Sequence, residues 1–103
     1  MKKYLGEFEE LILTIVAIIG EEAYGNSIVQ LIKKELDREV SLSAVHITLY
    51  RLEDKGLVES SYGGATATRG GRRKRFFQIT NKGLGYVREM QAQRTKLWCL
   101  LPD

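Results

Sequence analysis

A small, mostly α domain with one β-hairpin, ordered helix, helix, helix, strand, strand, helix, is predicted by three observations. The stretch from 41 to 55 carries one apolar arc and a second face that has no use inside a core. Directly behind it, two strand-like runs flank a segment of glycine, alanine and threonine that ends in a cluster of arginine and lysine. A last helix starts after Thr80. A presented helix followed at once by a basic hairpin is the pattern of a winged helix-turn-helix, here with one further C-terminal helix.

The 103 residues make one domain, long enough to bury roughly 60–70% of the surface its unfolded chain exposes. Net charge is only +3, but five bases fall within the seven residues Arg69 to Arg75. A local patch of one sign attracts a polyanion whatever the total charge. Cys99 is the single cysteine, so no internal disulfide can form and a reducing cytoplasm fits. Lys2 and Lys3 precede an apolar run, yet Glu7, Glu9 and Glu10 interrupt any signal-peptide pattern. The run from Leu11 to Ile19 is far shorter than the ~20 residues of a bilayer span. The expectation is a cytoplasmic protein with no membrane partner.

The first helix is expected from Gly6 to Ile19, with three glutamates near its positive N-terminal end. Between Leu11 and Ile19 only Thr14 is polar, so the helix needs cover on more than one side. A second subunit supplies that cover in one reading, which assigns Leu11 and Ile15 to the interface. A helix central to its own small core is the other. A turn from Gly20 to Gly25 leads to a second helix, Asn26 to Leu36, whose Ile28, Leu31, Ile32 and Glu35/Leu36 follow the spacing of a buried stripe. Ser41 caps a third helix, Leu42 to Lys55, which Gly56 ends in the left-handed conformation. The strands are Leu57 to Tyr62 and Lys74 to Ile79. Thr80 caps the last helix, Asn81 to about Leu100, closed by Pro102, the only proline.

On the third helix Leu42, Val45, Leu49 and Leu52 fall within an arc of about 80° and read as its core side. Ser43, Ile47, Tyr50 and Arg51 lie opposite, with His46 at the border and Asp54 at the far end. In a major groove, hydroxyl and guanidinium groups bond base edges or phosphates, and Ile47 can touch a thymine methyl. The basic cluster of Arg69, Arg72, Arg73, Lys74 and Arg75 surrounds Gly70 and Gly71, which let the backbone bend tightly against a surface. Such a loop can contact phosphates or enter a minor groove. Along the second strand Lys74, Phe76 and Gln78 share one face and Arg75, Phe77 and Ile79 the other, so some bases point away from DNA.

The runs LGEFEELIL, AYG, SAVHITLYRLEDKGLV and RGGRRKRFFQIT, in that order, resemble the PadR family of bacterial transcriptional regulators. The resemblance spans nearly the whole chain and implies a winged-helix fold, a homodimer built with the C-terminal helix, and repression by binding an operator. It implies a recognition helix from Ser43 to Lys55, a wing tip near Arg69 to Arg73, and a backbone-contacting role for Tyr24. His46 stands where the family often has tyrosine, and a histidine can donate the same bond to a phosphate. The chain resembles the short members, which end in a single helix, so residues 1–80 are the expected DNA-binding unit and 81–103 the dimerisation helix. Val87, Met90, Arg94, Leu97 and Leu101 follow a three-and-four spacing, a short seam in which Arg94 can fix register. Some short members stack flat drugs on a tryptophan of this helix. Trp98 sits about one turn beyond that position and is expected in the dimer core.

Other functions are weaker. One histidine and one cysteine on separate elements, without metal-ligand spacing, do not suggest an enzyme, a metal or a cofactor. An RNA binder would offer exposed aromatics on a sheet, for which Tyr62, Phe76 and Phe77 are the candidates. A multidrug sensor with a small-molecule effector at the dimer interface is the remaining alternative, and nothing in the sequence identifies its ligand.

Overall fold

The computed structural model describes residues 5–63 and 74–102. Its elements are α1 (Glu7–Ile19), a 3-10 turn (Gly20–Glu22), α2 (Gly25–Leu36), α3 (Leu42–Asp54), β1 (Val58–Tyr62), β2 (Arg75–Ile79) and α4 (Asn81–Trp98). The expected order holds throughout, and boundaries differ by one or two residues.

α1 is the central rod. Ile12, Leu13, Ile15 and Val16 are buried along it, joined by Ile28 and Ile32 of α2, Val45, Leu49 and Leu52 of α3, and Phe77 of β2. At its start the Gly6 N–H donates to Glu9 Oε1 at 3.1 Å, and the helix stops where Gly20 takes φ 82°. α2 stops at Asp37, the single non-glycine residue at positive φ among the described residues. Aspartate tolerates that conformation better than most residues, and its carboxylate accepts a bond from Lys33 Nζ at 3.1 Å.

Two local devices bound α3, and the second joins it to the hairpin. Ser41 Oγ caps α3 by accepting from the Ala44 N–H at 3.1 Å. At the other end Gly56 adopts φ 76°, its N–H donates to the Glu53 carbonyl, and the Leu57 N–H donates to the Leu52 carbonyl, each at 2.9 Å. This is the Schellman arrangement, and it delivers the chain into β1 without a linker. β1 and β2 pair antiparallel with Val58 opposite Ile79, Ser60 opposite Phe77 and Tyr62 opposite Arg75. On the other edge of β2, the Phe77 N–H donates to the Ala23 carbonyl at 2.8 Å, so the segment leading into α2 adds a one-residue third strand.

Thr80 then serves both the hairpin and α4. Its N–H bonds the Leu57 carbonyl at 3.0 Å, its hydroxyl donates to the Gly56 carbonyl at 2.7 Å, and its Oγ1 accepts from the Gly83 N–H at 3.0 Å. A Cβ at Gly83 would strike the Leu57 carbonyl oxygen and Ile79, so glycine lets α4 settle directly on the base of the hairpin. The first half of α4 packs on α1 through Tyr86 and Val87, and the Tyr86 hydroxyl accepts from the Leu5 N–H at 2.8 Å. Beyond Met90 every described residue of the helix is exposed. Among the described residues no helix is long and apolar enough to cross a membrane.

Three expectations need correction. Leu42 was assigned to the core arc but is 42% exposed, while Thr48 is buried and donates to the Ala44 carbonyl at 2.8 Å. α3 is rotated toward Thr48, and a hydroxyl satisfied within its own helix can occupy a core position. Ile15, assigned to a subunit interface, is 5% exposed within its own chain and offers a partner almost no area. Leu36, placed on the buried stripe of α2, lies exposed in its last turn.

Candidate nucleic-acid interface

Ser43, Ile47 and Arg51 recur every four residues along α3, and all three are exposed. Ile47 is 53% exposed, a large apolar side chain turned outward. Asp54 is exposed at the end of the same face. His46 borders it, half-buried, and stands so close to Gly25 that a Cβ there would collide with its ring. The tight crossing of α2 under α3 therefore depends on Gly25, and it holds the outward residues at a fixed height above the body.

Tyr50 behaves differently from the other outward residues. Its ring lies edge-on to His46, with centroids 6.1 Å apart, and carries the Arg75 guanidinium at 4.8 Å from its centroid. Arg75 Nη2 also donates to Glu53 Oε1 at 2.8 Å and to Ser60 Oγ at 3.0 Å. Ser60 Oγ in turn donates to Glu53 Oε2 at 2.6 Å. Arg75, expected as a DNA contact, is thus engaged within the protein, where β2 turns its side chain to the same face as buried Phe77. Neither Glu53 nor Ser60 is marked by spacing or charge as a partner for Arg75. The strand alternation that put Arg75 beside Phe77 was the available signal, since a charge on the inward face needs a partner.

Tyr24 lies at the start of α2, where its N–H donates to Ser27 Oγ at 2.9 Å. Its ring meets Phe76 edge-on at 5.5 Å and Lys74 Nζ at 4.5 Å, and Lys74 Nζ donates to its hydroxyl at 3.5 Å. The structure thereby brings Tyr24 and Lys74 together, from residues fifty apart, on the flank of the hairpin. Arg69, Arg72 and Arg73 lie outside the described residues.

At the C-terminal end of α3 Lys55 is tied to Glu9 of α1, with Nζ at 2.9 and 3.2 Å from the two carboxylate oxygens. Burial works to raise the Glu9 pKa, but the bonds from Lys55 and the Gly6 N–H, with the Lys55 and Arg51 charges, together hold it below the ordinary value. On α4, Val87 and Met90 are half-buried, Arg94 pairs with Glu10 of α1, and Leu97, Trp98 and Leu101 are exposed. Leu11 is half-buried beside Val87 and Met90 in a groove between α1 and α4.

Three helices, the third with one face turned outward, and a two-stranded wing define a winged-helix protein. The chain belongs to the PadR-like family of transcriptional regulators, whose profile matches residues 12–89. That family comprises regulators of transcription, not enzymes. The fold is similar to that of a PadR-like transcription factor from Bacteroides fragilis, at 24% identity and TM-score 0.74 over 87% of this chain and 82% of that one. It is similar to a PadR family transcription regulator from Clostridium difficile R20291, at 24% identity and TM-score 0.71 over 89% and 90% of the two chains. It also resembles F93 from STIV, a winged-helix DNA-binding protein, at 19% identity and TM-score 0.74 over 97% and 100%. No curated protein matches the sequence.

Proposed function

We propose that this chain is a cytoplasmic, sequence-specific regulator that binds double-stranded DNA as a homodimer and represses transcription from a pseudo-palindromic operator. The observation that carries the reading is the exposed Ser43, Ile47 and Arg51 line of α3 beside a hairpin flanked by Lys74 and Tyr24. In this reading α3 enters the major groove, Ser43, Ile47 and Arg51 read bases, and His46 and Tyr24 approach the phosphate backbone. Arg69, Arg72 and Arg73 add the cationic wing. Residues 1–80 act as the DNA-binding unit, and 81–103 join two copies so that two recognition helices fall about 34 Å apart.

The disposition of the aromatics favours duplex DNA over RNA. Phe77 is buried, Phe76 is packed on Tyr24, and only Tyr62 is exposed, so the hairpin offers little on which bases could stack. Trp98, 73% exposed on one subunit, is best covered by the partner's helix, with a flat small-molecule effector as the second occupant.

Titrating duplex DNA and single-stranded RNA at several salt concentrations tests the reading. Duplex binding should dominate, with a log–log salt slope near −0.9 per neutralised phosphate. Arg72→Ala with Arg73→Ala should weaken binding to every sequence and flatten the slope by about 2. Ile47→Ala or Arg51→Ala should instead change the preferred bases, by roughly 1–3 kcal/mol at the affected position. Equal losses on operator and random duplex from all of these substitutions would overturn the division of roles.

A further inference from the structure

The outer part of the hairpin meets α3 at one polar cluster. Glu53 comes from the last turn of α3, Ser60 from the middle of β1, and Arg75 from the first residue of β2. The three close a ring of bonds at 2.6, 2.8 and 3.0 Å, with the guanidinium lying 4.8 Å from the Tyr50 ring centroid and 5.5 Å from that of Phe77. About a third of each ionic side chain remains exposed, 31% for Arg75 and 32% for Glu53. The Arg75 Nε is already buried and has no hydrogen-bond partner among the described residues. A guanidinium with one edge buried, one nitrogen committed to two acceptors and its face against aromatics is poorly placed to reach out to a phosphate.

We infer that Arg75 is a positioning residue: through Glu53, Ser60 and Tyr50 it fixes the angle between the recognition helix and the wing, and it does not contact DNA. The inference rests on the DNA-binding reading for its purpose, but its geometry can be tested without DNA. At the base, main-chain bonds from Thr80 to Leu57 and from Phe77 to Ala23 already anchor the strands. The Arg75 cluster acts further out, at the Tyr62 and Arg75 register pair that precedes the loop. Fixing the angle there sets where the basic loop lands once α3 is seated, and the same cluster withdraws Tyr50 from base reading. Base choice by α3 then falls to Ser43, Ile47 and Arg51.

The distance test uses the full chain carrying Cys99→Ser, with nitroxide labels on cysteines introduced at two exposed positions, Ser43→Cys on α3 and Ser61→Cys on β1, while the duplex titrations use unlabelled chains with Ser43 intact. With labelled chain diluted in a large excess of unlabelled chain, so that only the pair within one subunit is read, the unsubstituted protein should give one narrow distance distribution in the absence of DNA. Arg75→Ala and Glu53→Ala should each broaden it, and the double variant should be no broader than the worse single, because both remove the same bracket. In duplex titrations each variant should lose roughly tenfold in affinity while keeping the parent salt slope. A phosphate contact would behave otherwise. Arg75→Ala would then lower the slope by about 1 with distances unbroadened, while Glu53→Ala, by freeing the arginine, would leave binding intact or stronger. Arg75→Lys, which keeps a charge for Glu53 but cannot serve both acceptors in a planar fork, should fall between parent and alanine, and it covers the case in which Arg75→Ala fails to fold. Unbroadened distances in all the variants would sink the bracket. A parent protein that binds no duplex would sink the DNA reading and leave the distance result standing.

Discussion

Glu9 and Lys55 show how one ion pair can hold two helices and carry a pH signature. The Glu9 side chain is only 14% exposed, and its bonds come from Lys55 at the end of α3 and Gly6 at the start of α1. Its folded pKa lies below the ordinary value, so the stabilisation is complete above the unfolded pKa of about 4.3 and is lost as pH falls through the folded value. Glu9→Gln should therefore lower Tm at pH 7 and flatten the decline of Tm below about pH 4, as followed by thermal melts across that range. A smaller effect is expected at Tyr86, whose hydroxyl meets the Leu5 N–H. Tyr86→Phe should cost about 1 kcal/mol in denaturant titration. Neither partner of these contacts could be named from the sequence, because Glu9 to Lys55 and Leu5 to Tyr86 are pairings across the whole fold. The outward set was more legible. Ser43, Ile47, Arg51 and Tyr50 follow from helical spacing alone, and all four are exposed, but spacing could not show that one face of the Tyr50 ring is occupied by Arg75.

Among the elements, α4 illustrates how much a helix's place depends on residues without side chains. Gly83 and Gly85 are two positions apart in the same helix, yet a Cβ at Gly83 meets the Leu57 carbonyl oxygen while one at Gly85 meets nothing within 4 Å. Gly83→Ala should destabilise by about 1–3 kcal/mol because the obstacle is backbone and cannot swing aside. Gly85→Ala should stabilise by roughly 0.5–1 kcal/mol through helix propensity alone. Chemical denaturation of both variants checks the pair, and equal effects would contradict the packing. Periodicity and caps were enough to locate the elements themselves, since Ser41, Gly56 and Thr80 each announce a boundary. What periodicity could not supply was the rotation of α3 about its axis. Thr48 and Leu42 lie at either edge of the apolar arc, and contact with α1 and α2 decides which of them is buried.

At the scale of the whole molecule the chain is longer than a compact domain of its size. Its radius of gyration is 15.2 Å and its extents are 57 × 32 × 19 Å, against about 13 Å expected for the radius of a compact 103-residue chain. The elongation is in keeping with the distal half of α4, which carries Leu97, Trp98, Leu100 and Leu101 exposed. Apolar side chains gathered on a protruding helix are the surface that the proposed dimer would bury, together with Leu11, Val87 and Met90. Leu97→Asp combined with Trp98→Ala should sediment as a monomer at concentrations where the parent is a dimer. Operator affinity should fall with it, because a single recognition helix remains per molecule. Unchanged sedimentation of the variant would remove this end of α4 from the interface.

The turn at Gly56 has a consequence for how the chain tolerates changes of length. Since α3 passes into β1 through a closed Schellman turn, one residue inserted there would invert the parity of the strand. Val58 and Ser60 would swing to solvent, and Glu59 and Ser61 would be driven against Phe77. The root of the hairpin is therefore a place where this molecule can neither gain nor lose a single residue.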